Sequence, residues 1–439
     1  MTLLLRPWFD KHGNAPIVVL QWASTIVAMW TCIPERIIMA QRKRLTQILM
    51  GSTAVLMSIS TVGGALTLAP AAYAAPLDTD GDGLLDSWET YGYDANGDGS
   101  IDVNLPAMGA DPKRKDLFVE VDYMSGRLPS VTAFNRIVAT FAQAPVWNPN
   151  GTTGISLHLD TGTALGSAYN LGGGNQVAYD SLLSPVTAQT TAIRNANFNP
   201  KRSSIFYYAL WADAYTDDSG NNCSSGQAFN IPGDTFIMTM GPYCGWNATE
   251  DMQVGTFIHE FGHSLGLKHG GTDHVHYKPN YLSVMNYSYQ FSGVPRANGS
   301  SYFGYSNTAP TLNENSLTEV NGLGAAGAGW KSVYFCGTTR QLSGTANGPI
   351  DWNCSGSASG TVSSDINQDT VKTALTSQNN WANLQFGGGS VGNGTGTDNQ
   401  ETLKRKNSES HPEETKEALK ELTKSDVDNL FNPGHSVQH

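Results

Sequence analysis

Apolar and polar residues change their rhythm along this chain, and the changes mark its elements. Over 117–123 (Leu-Phe-Val-Glu-Val-Asp-Tyr) apolar positions alternate with acids, the period of a strand. From 131 to 144 they recur at helical spacing. Residues 155–160 read as another strand, 177–196 as a helix, and 204–214 and 234–240 as two further strands. A helix is expected to start near Thr249, where Thr249-Glu250-Asp251 offers a cap and first-turn acids that suit the helix dipole. Strands and helices that interleave in this way predict an α/β layered domain over about 113–330.

The flanks have different patterns. Residues 75–112 are dense in Asp and Gly and poor in apolar positions, and 336–397 are rich in Gly, Ser, Thr and Asn. The first reads as a ligand-binding segment and the second as a loop-rich or β appendage on a main domain of 113–335. From 398 to 439 the composition turns to Glu, Lys and Ser. An amphipathic helix fits 414–431, but the surroundings have the composition of a solvated, disordered tail, to which no chemistry is assigned.

Near the N-terminus, Arg42-Lys43-Arg44 precedes an uncharged apolar run that closes on Ala72-Tyr73-Ala74. A basic start, an apolar middle and an A-x-A close make a secretory signal peptide over 39–74. Counted from Met39 it has ordinary length, so 1–38 reads as an upstream over-extension. Glycines, Pro70 and the lack of a basic flank disfavour a membrane span, so a secreted chain without stable membrane association is expected. Cleavage after Ala74 leaves Cys223, Cys244, Cys336 and Cys354. An even number in an exported chain points to disulfides. Of the three possible pairings, the sequence-local one (Cys223–Cys244 and Cys336–Cys354) is expected.

Charge refines this picture. The 439 residues carry 26 basic and 38 acidic side chains, a net −12. Without its leader the chain has 20 basic against 36 acidic, or −16. Such a balance excludes a nucleic-acid partner, which demands basic surface. Part of the excess lies in the Asp cluster of 78–102, where a bound cation would offset it.

The strongest chemical signal is His259-Glu260-Phe261-Gly262-His263-Ser264-Leu265-Gly266-Leu267-Lys268-His269. On a helix His259 and His263 share one face and can grip one zinc ion, with Glu260 beside them as general base. Gly266 can adopt a left-handed conformation, end the helix and bring His269 round as third ligand. Three protein ligands leave a fourth position for water, as in catalytic zinc sites. His274 and His276 follow in a loop, where cleft-lining histidines are commonplace, and a second zinc is not inferred.

These residues resemble the signature of the metzincin metalloproteases, as does Ser283-Val284-Met285-Asn286-Tyr287 downstream. The resemblance spans roughly 115–290. It implies an α+β catalytic domain with a twisted mixed sheet, an antiparallel edge strand and an active-site helix. It further implies Met285 as an apolar floor beneath the metal and Tyr287 as an oxyanion donor. The edge strand that would hold an extended substrate falls at 225–230. The implied activity is endopeptidase cleavage, with Glu260 assisting attack of zinc-activated water on a peptide carbonyl of a protein or peptide substrate. Gly270, after the third histidine, leaves the branch open. No long propeptide follows Ala74, so any latency must arise by another route.

Asp78-Thr-Asp80-Gly-Asp82-Gly83-Leu84-Leu85-Asp86-Ser-Trp88-Glu89 matches a twelve-position calcium loop. Asp78, Asp80, Asp82, Asp86 and Glu89 would supply carboxylates, and Leu84 its carbonyl. Asp94, Asn96, Asp98 and Asp102 repeat the pattern sixteen residues on, with Leu105 at the twelfth position. The spacing is too short for paired EF-hands and resembles thrombospondin type 3 repeats. Asp365-Ile-Asn367-Gln-Asp369 matches only in part. The expectation is a monomeric, secreted endopeptidase with one catalytic zinc and one or two structural calcium ions. The alternative is a non-catalytic, calcium-dependent extracellular adhesion or binding protein with a degenerate protease domain.

Overall fold

A computed structural model describes residues 77–217, 220, 223–387 and 421–431. All belong to the unit Ala74–His439. The expected signal segment 39–74, the region 1–38 and residues 388–420 lie outside the described residues. Among the described residues no helix is long and apolar enough to cross a membrane.

Two short helices, α1 (Asp86–Tyr91) and α2 (Leu105–Met108), lead into strand β1 (Asp116–Met124). There follow helix α3 (Val131–Ala142), strands β2 (Ser156–Asp160) and β3 (Gln176–Val177), and helix α4 (Val186–Asn197). Strands β4 (Phe206–Trp211), β5 (Gly226–Ala228) and β6 (Thr235–Met238) precede the long helix α5 (Glu250–Ser264). The sheet runs β2-β1-β4-β6-β5, with β3 joining the end of β1. Every pairing is parallel except β5 on β6, which is antiparallel and forms an edge. The result is a mixed α/β fold with a parallel sheet and an antiparallel edge strand.

Strand alternation divides the core. Leu117, Val119 and Val121 join Tyr207, Ala209, Phe236 and Met238 on the face covered by α3 and α5. Phe118, Phe206, Tyr208, Leu210 and Ile237 face the other way, toward Val186 of α4 and Leu84, Val103 and Leu105. Full burial of each such side chain contributes about 1.5–3 kcal/mol. The second face also buries Glu120 and Asp160, which is tolerable because Arg202 forks between them.

One expected element is corrected. The stretch 177–196 is not one helix: Gln176–Val177 pairs with Tyr123 and Met124, and α4 begins only after Pro185. Proline disfavours the α conformation in the residue before it, so helical spacing upstream of Pro185 does not become a helix.

Beyond α5 the chain forms short two-stranded pairs, including Val333–Cys336 with Thr339–Leu342. The expected boundary at 335/336 falls inside that hairpin. Leu282, Tyr289 and Val294 share a third core with Leu317, Phe335, Trp352, Ile366 and Leu375. Both disulfides have the expected sequence-local pairing, with Cα–Cα distances of 5.3 Å (Cys223–Cys244) and 6.1 Å (Cys336–Cys354).

Candidate metal centres and active site

Helix α5 is capped by Thr249, whose side chain accepts from the Met252 amide, and Glu250 and Asp251 occupy its first turn. Both acids also pair with Arg136 of α3, tying the two helices together. The helix is buried from Val254 to Ser264. It ends in a Schellman turn: Leu267 N–H donates to Gly262 O, Gly266 N–H donates to His263 O, and Gly266 has φ +86°. The expected reversal at Gly266 is present, and His269 comes back beside the helix.

The three imidazoles converge. His263 Nε2 lies 3.2 Å from His259 Nε2 and 2.9 Å from His269 Nε2. The Nδ1 atoms of His259 and His263 lie 2.8 Å from Val284 O and 2.7 Å from Leu267 O. A neutral ring that donates through Nδ1 to a carbonyl presents a lone pair at Nε2. Burial also holds His269 neutral. Imidazole nitrogens that converge in this way form, with Glu421, a group that could hold a metal ion. Tetrahedral coordination at about 2.0–2.1 Å would set the nitrogens roughly 3.3 Å apart, close to the spacing seen. The donor set therefore fits a zinc-sized ion.

Glu260 is buried beside this cluster. Burial, and next the charge of Glu421, raise its carboxyl well above the ordinary range. Met285 is buried in the core with its sulfur toward the last turn of α5: a Cβ at Gly262 would stand 2.3 Å from Met285 Sδ. Tyr287 Oη lies 3.0 Å from His269 Nε2. His276 stacks flat on the Tyr287 ring, with centroids 4.7 Å apart. Edge strand β5 runs past Glu260 within the segment expected for it, 225–230.

One member of the cluster has no counterpart in the sequence reading. Glu421, 4% exposed, sits among the three histidines and completes a metal-capable group with them. Its Oε2 lies 3.2 Å from His259 Nε2, and its Oε1 3.3 Å from His263 Nε2 and 3.2 Å from His269 Nε2. Tyr287 Oη donates to Oε2 at 3.1 Å. The residue belongs to the stretch read as solvated tail. The available signal was an acid just ahead of a capped apolar pattern, since Thr423 and Asp426 cap helix α6 (Lys424–Phe431).

The first Asp loop also gathers its acids. Asp78 accepts the Gly81 and Gly83 amides, and Asp80 and Asp82 close a metal-capable group with it. A second group joins Asp82 and Glu89 to Asp116, the first residue of β1, which no motif indicated. Asp116 N–H donates to Asp82 Oδ2 at 2.6 Å. Glu89 is buried, and neither of its carboxylate oxygens has a hydrogen-bond partner among the described residues. Burial raises Glu89 to about 10, and nearby acids add to the shift. Buried acids so arranged fit a hard cation. Leu84 turns its side chain into the core while its amide donates to Asp82. Asp86 is engaged by Thr79, through both its amide and its hydroxyl.

The second loop repeats the turn but not the burial. Asp94 accepts the Gly97 and Gly99 amides, Asp98 accepts Ser100, and Asn96 donates to Asp98. Asp102 is drawn aside to Lys201 and to the Ala95 amide. Leu105, at the twelfth position, is buried in the core. The partial match at 365–369 adopts the same turn, with Asp365 accepting from Gln368 and Thr370.

No protein-family model matches this chain, and no curated protein matches it.

Proposed function

We propose that the chain is a secreted zinc-dependent endopeptidase of metzincin type, stabilised by calcium in its 78–116 acid cluster. One observation carries the reading: three histidine Nε2 atoms converge in a buried pocket that Glu260, Tyr287 and an antiparallel edge strand all border. His259, His263 and His269 would hold the ion, which when bound supplies Lewis acidity to a water and to the substrate carbonyl. Glu260 takes the proton from the attacking water and delivers it to the departing amine nitrogen. The Tyr287 hydroxyl donates to the carbonyl oxygen as negative charge develops there. Strand β5 pairs with the backbone of an extended substrate, which gives affinity for peptide of varied sequence.

The competing reading is a non-catalytic extracellular binding protein. It draws on Glu421, because a closed four-ligand set characterises structural rather than catalytic metal sites. The test is casein or gelatin cleavage by zinc-loaded wild-type and Glu421→Ala proteins, with Glu260→Ala as the inactive reference. Cleavage that a zinc chelator stops and Glu260→Ala abolishes supports the peptidase. If wild-type and Glu421→Ala proteins both bind zinc yet cut nothing in a broad protein panel, the peptidase reading fails.

A further inference from the structure

Resting on the peptidase reading, we propose that residues 421–431 are a built-in plug that docks in the cleft and uses Glu421 as a removable fourth ligand, holding the enzyme latent. Four features of the docking support it.

The carboxylate is placed against the chemistry rather than beside it. Its two oxygens face all three histidine Nε2 atoms, at 3.2–3.3 Å, where water and the substrate carbonyl would have to sit. It also takes the Tyr287 hydroxyl, the donor a developing oxyanion would need.

The backbone of the segment docks as a peptide would. Thr423 bridges Ser224 in antiparallel sense, immediately ahead of β5. Ser225 N–H donates to Leu422 O, and Lys424 N–H donates to Cys223 O. The segment therefore consumes edge hydrogen bonds next to the strand that an extended substrate needs.

Side chains anchor it. Leu422 and Val427 are buried within the main core, and Leu430 packs against it. Helix α6 starts on a reciprocal cap, in which Thr423 N–H and Oγ1 donate to Asp426 and Asp426 N–H donates back to Thr423 Oγ1. Lys424 pairs with Asp428 one turn on.

The fourth feature is what the plug presents. A side-chain carboxylate, not a peptide carbonyl, faces the histidines, so the segment offers no bond for cleavage where it blocks the site. An intramolecular ligand of this kind is favoured by its high effective concentration even when its intrinsic affinity is modest.

The experiment compares full-length wild type, Glu421→Ala and Val427→Asp, each loaded with zinc for turnover or with cobalt for visible absorption. Amide hydrogen exchange of 422–430 is measured on the same proteins. Turnover of a protein substrate should rise at least about tenfold in Glu421→Ala and in Val427→Asp. The cobalt spectrum should shift as carboxylate leaves, and amides of 422–430, protected in wild type, should exchange faster in Val427→Asp. A synthetic 421–431 peptide added to Glu421→Ala should inhibit it, and the same peptide with Ala at 421 should inhibit far less. An identical cobalt spectrum in wild type and Glu421→Ala, with unprotected 422–430 amides in wild type, overturns the plug whatever the activity. Equal turnover of wild type and both variants overturns latency while leaving the peptidase intact. If no form cuts protein but the spectrum and protection behave as expected, docking stands and the peptidase reading falls.

Discussion

Gly226 and Glu260 are packed so closely that a Cβ on residue 226 would stand 2.6 Å from Glu260 Oε1 and equally near the Ile237 carbonyl oxygen. The edge strand thus runs against the proposed general base, and only a hydrogen side chain fits between them. Gly226→Ala should push Glu260 or the strand aside. A displacement near 1 Å at a reacting group can cost about 10²-fold in rate, so kcat should fall by about that factor. Zinc content should stay at one per chain, and metal analysis alongside kinetics on the Glu421→Ala background checks both.

The Schellman turn makes a second prediction. Gly266 holds φ +86°, and a Cβ there would also meet the Gln385 side chain at 2.7 Å. Gly266→Ala should therefore cost about 1–2 kcal/mol. Because the same turn brings His269 to the other two histidines, zinc affinity should drop as well. Denaturant unfolding measures the first effect and competition with a coloured chelator the second. Unchanged zinc affinity would mean that the turn does not set the third ligand.

Calcium should couple stability to pH. In calcium-free protein, burial raises Asp80 to about 6 and Glu89 to about 10, with Asp78 and Asp116 adding negative charge and Lys115 opposing it at Asp80. The folded state then holds protons that the unfolded chain releases above its ordinary carboxyl values, 3.8 and 4.5. Calcium-free stability from these groups therefore falls as pH rises from about 5 toward 10. Bound calcium keeps the carboxylates ionised and removes the penalty. The gap in Tm between calcium and a calcium-selective chelator, with zinc present throughout, should widen from pH 5 to pH 8. Asp116→Asn should shrink it. A gap that narrows as pH rises would contradict the assignment.

The Cys223–Cys244 disulfide spans 21 residues and fixes the stretch on which Leu422 and Lys424 hydrogen-bond. Replacing both cysteines with Ser should cost about 3 kcal/mol by the loop-entropy estimate. It should also raise hydrogen exchange at 422–430 more than in the sheet. Equal changes in both regions would show that the disulfide acts only globally.

Much of the site was legible because its signals are local. Helix α5, its Thr249 cap, the reversal at Gly266 and the grouping of His259, His263 and His269 depend on residues within one or two turns of one another. The strand at 225–230 and the Asp78-to-Glu89 loop are equally short-range patterns. At one place a neighbouring residue overruled the local pattern: helical spacing from 177 onward gave way to Pro185 and to pairing with β1.

Sequence alone, then, determined the histidine motif, the Asp loops and most of the short helices and turns that carry them. Periodicity, capping and glycine conformation act between near neighbours, so no tertiary information was needed. Tertiary structure alone decided what meets across long distances. It joined Asp116 to an acid loop that ends at Glu89, sank Arg202 between Glu120 and Asp160, and delivered Glu421 to His269 from 152 residues away. A lone glutamate in a charged stretch has the same local chemistry whether it faces water or a metal. Only the packing of Leu422 and Val427 into the core chooses between those environments.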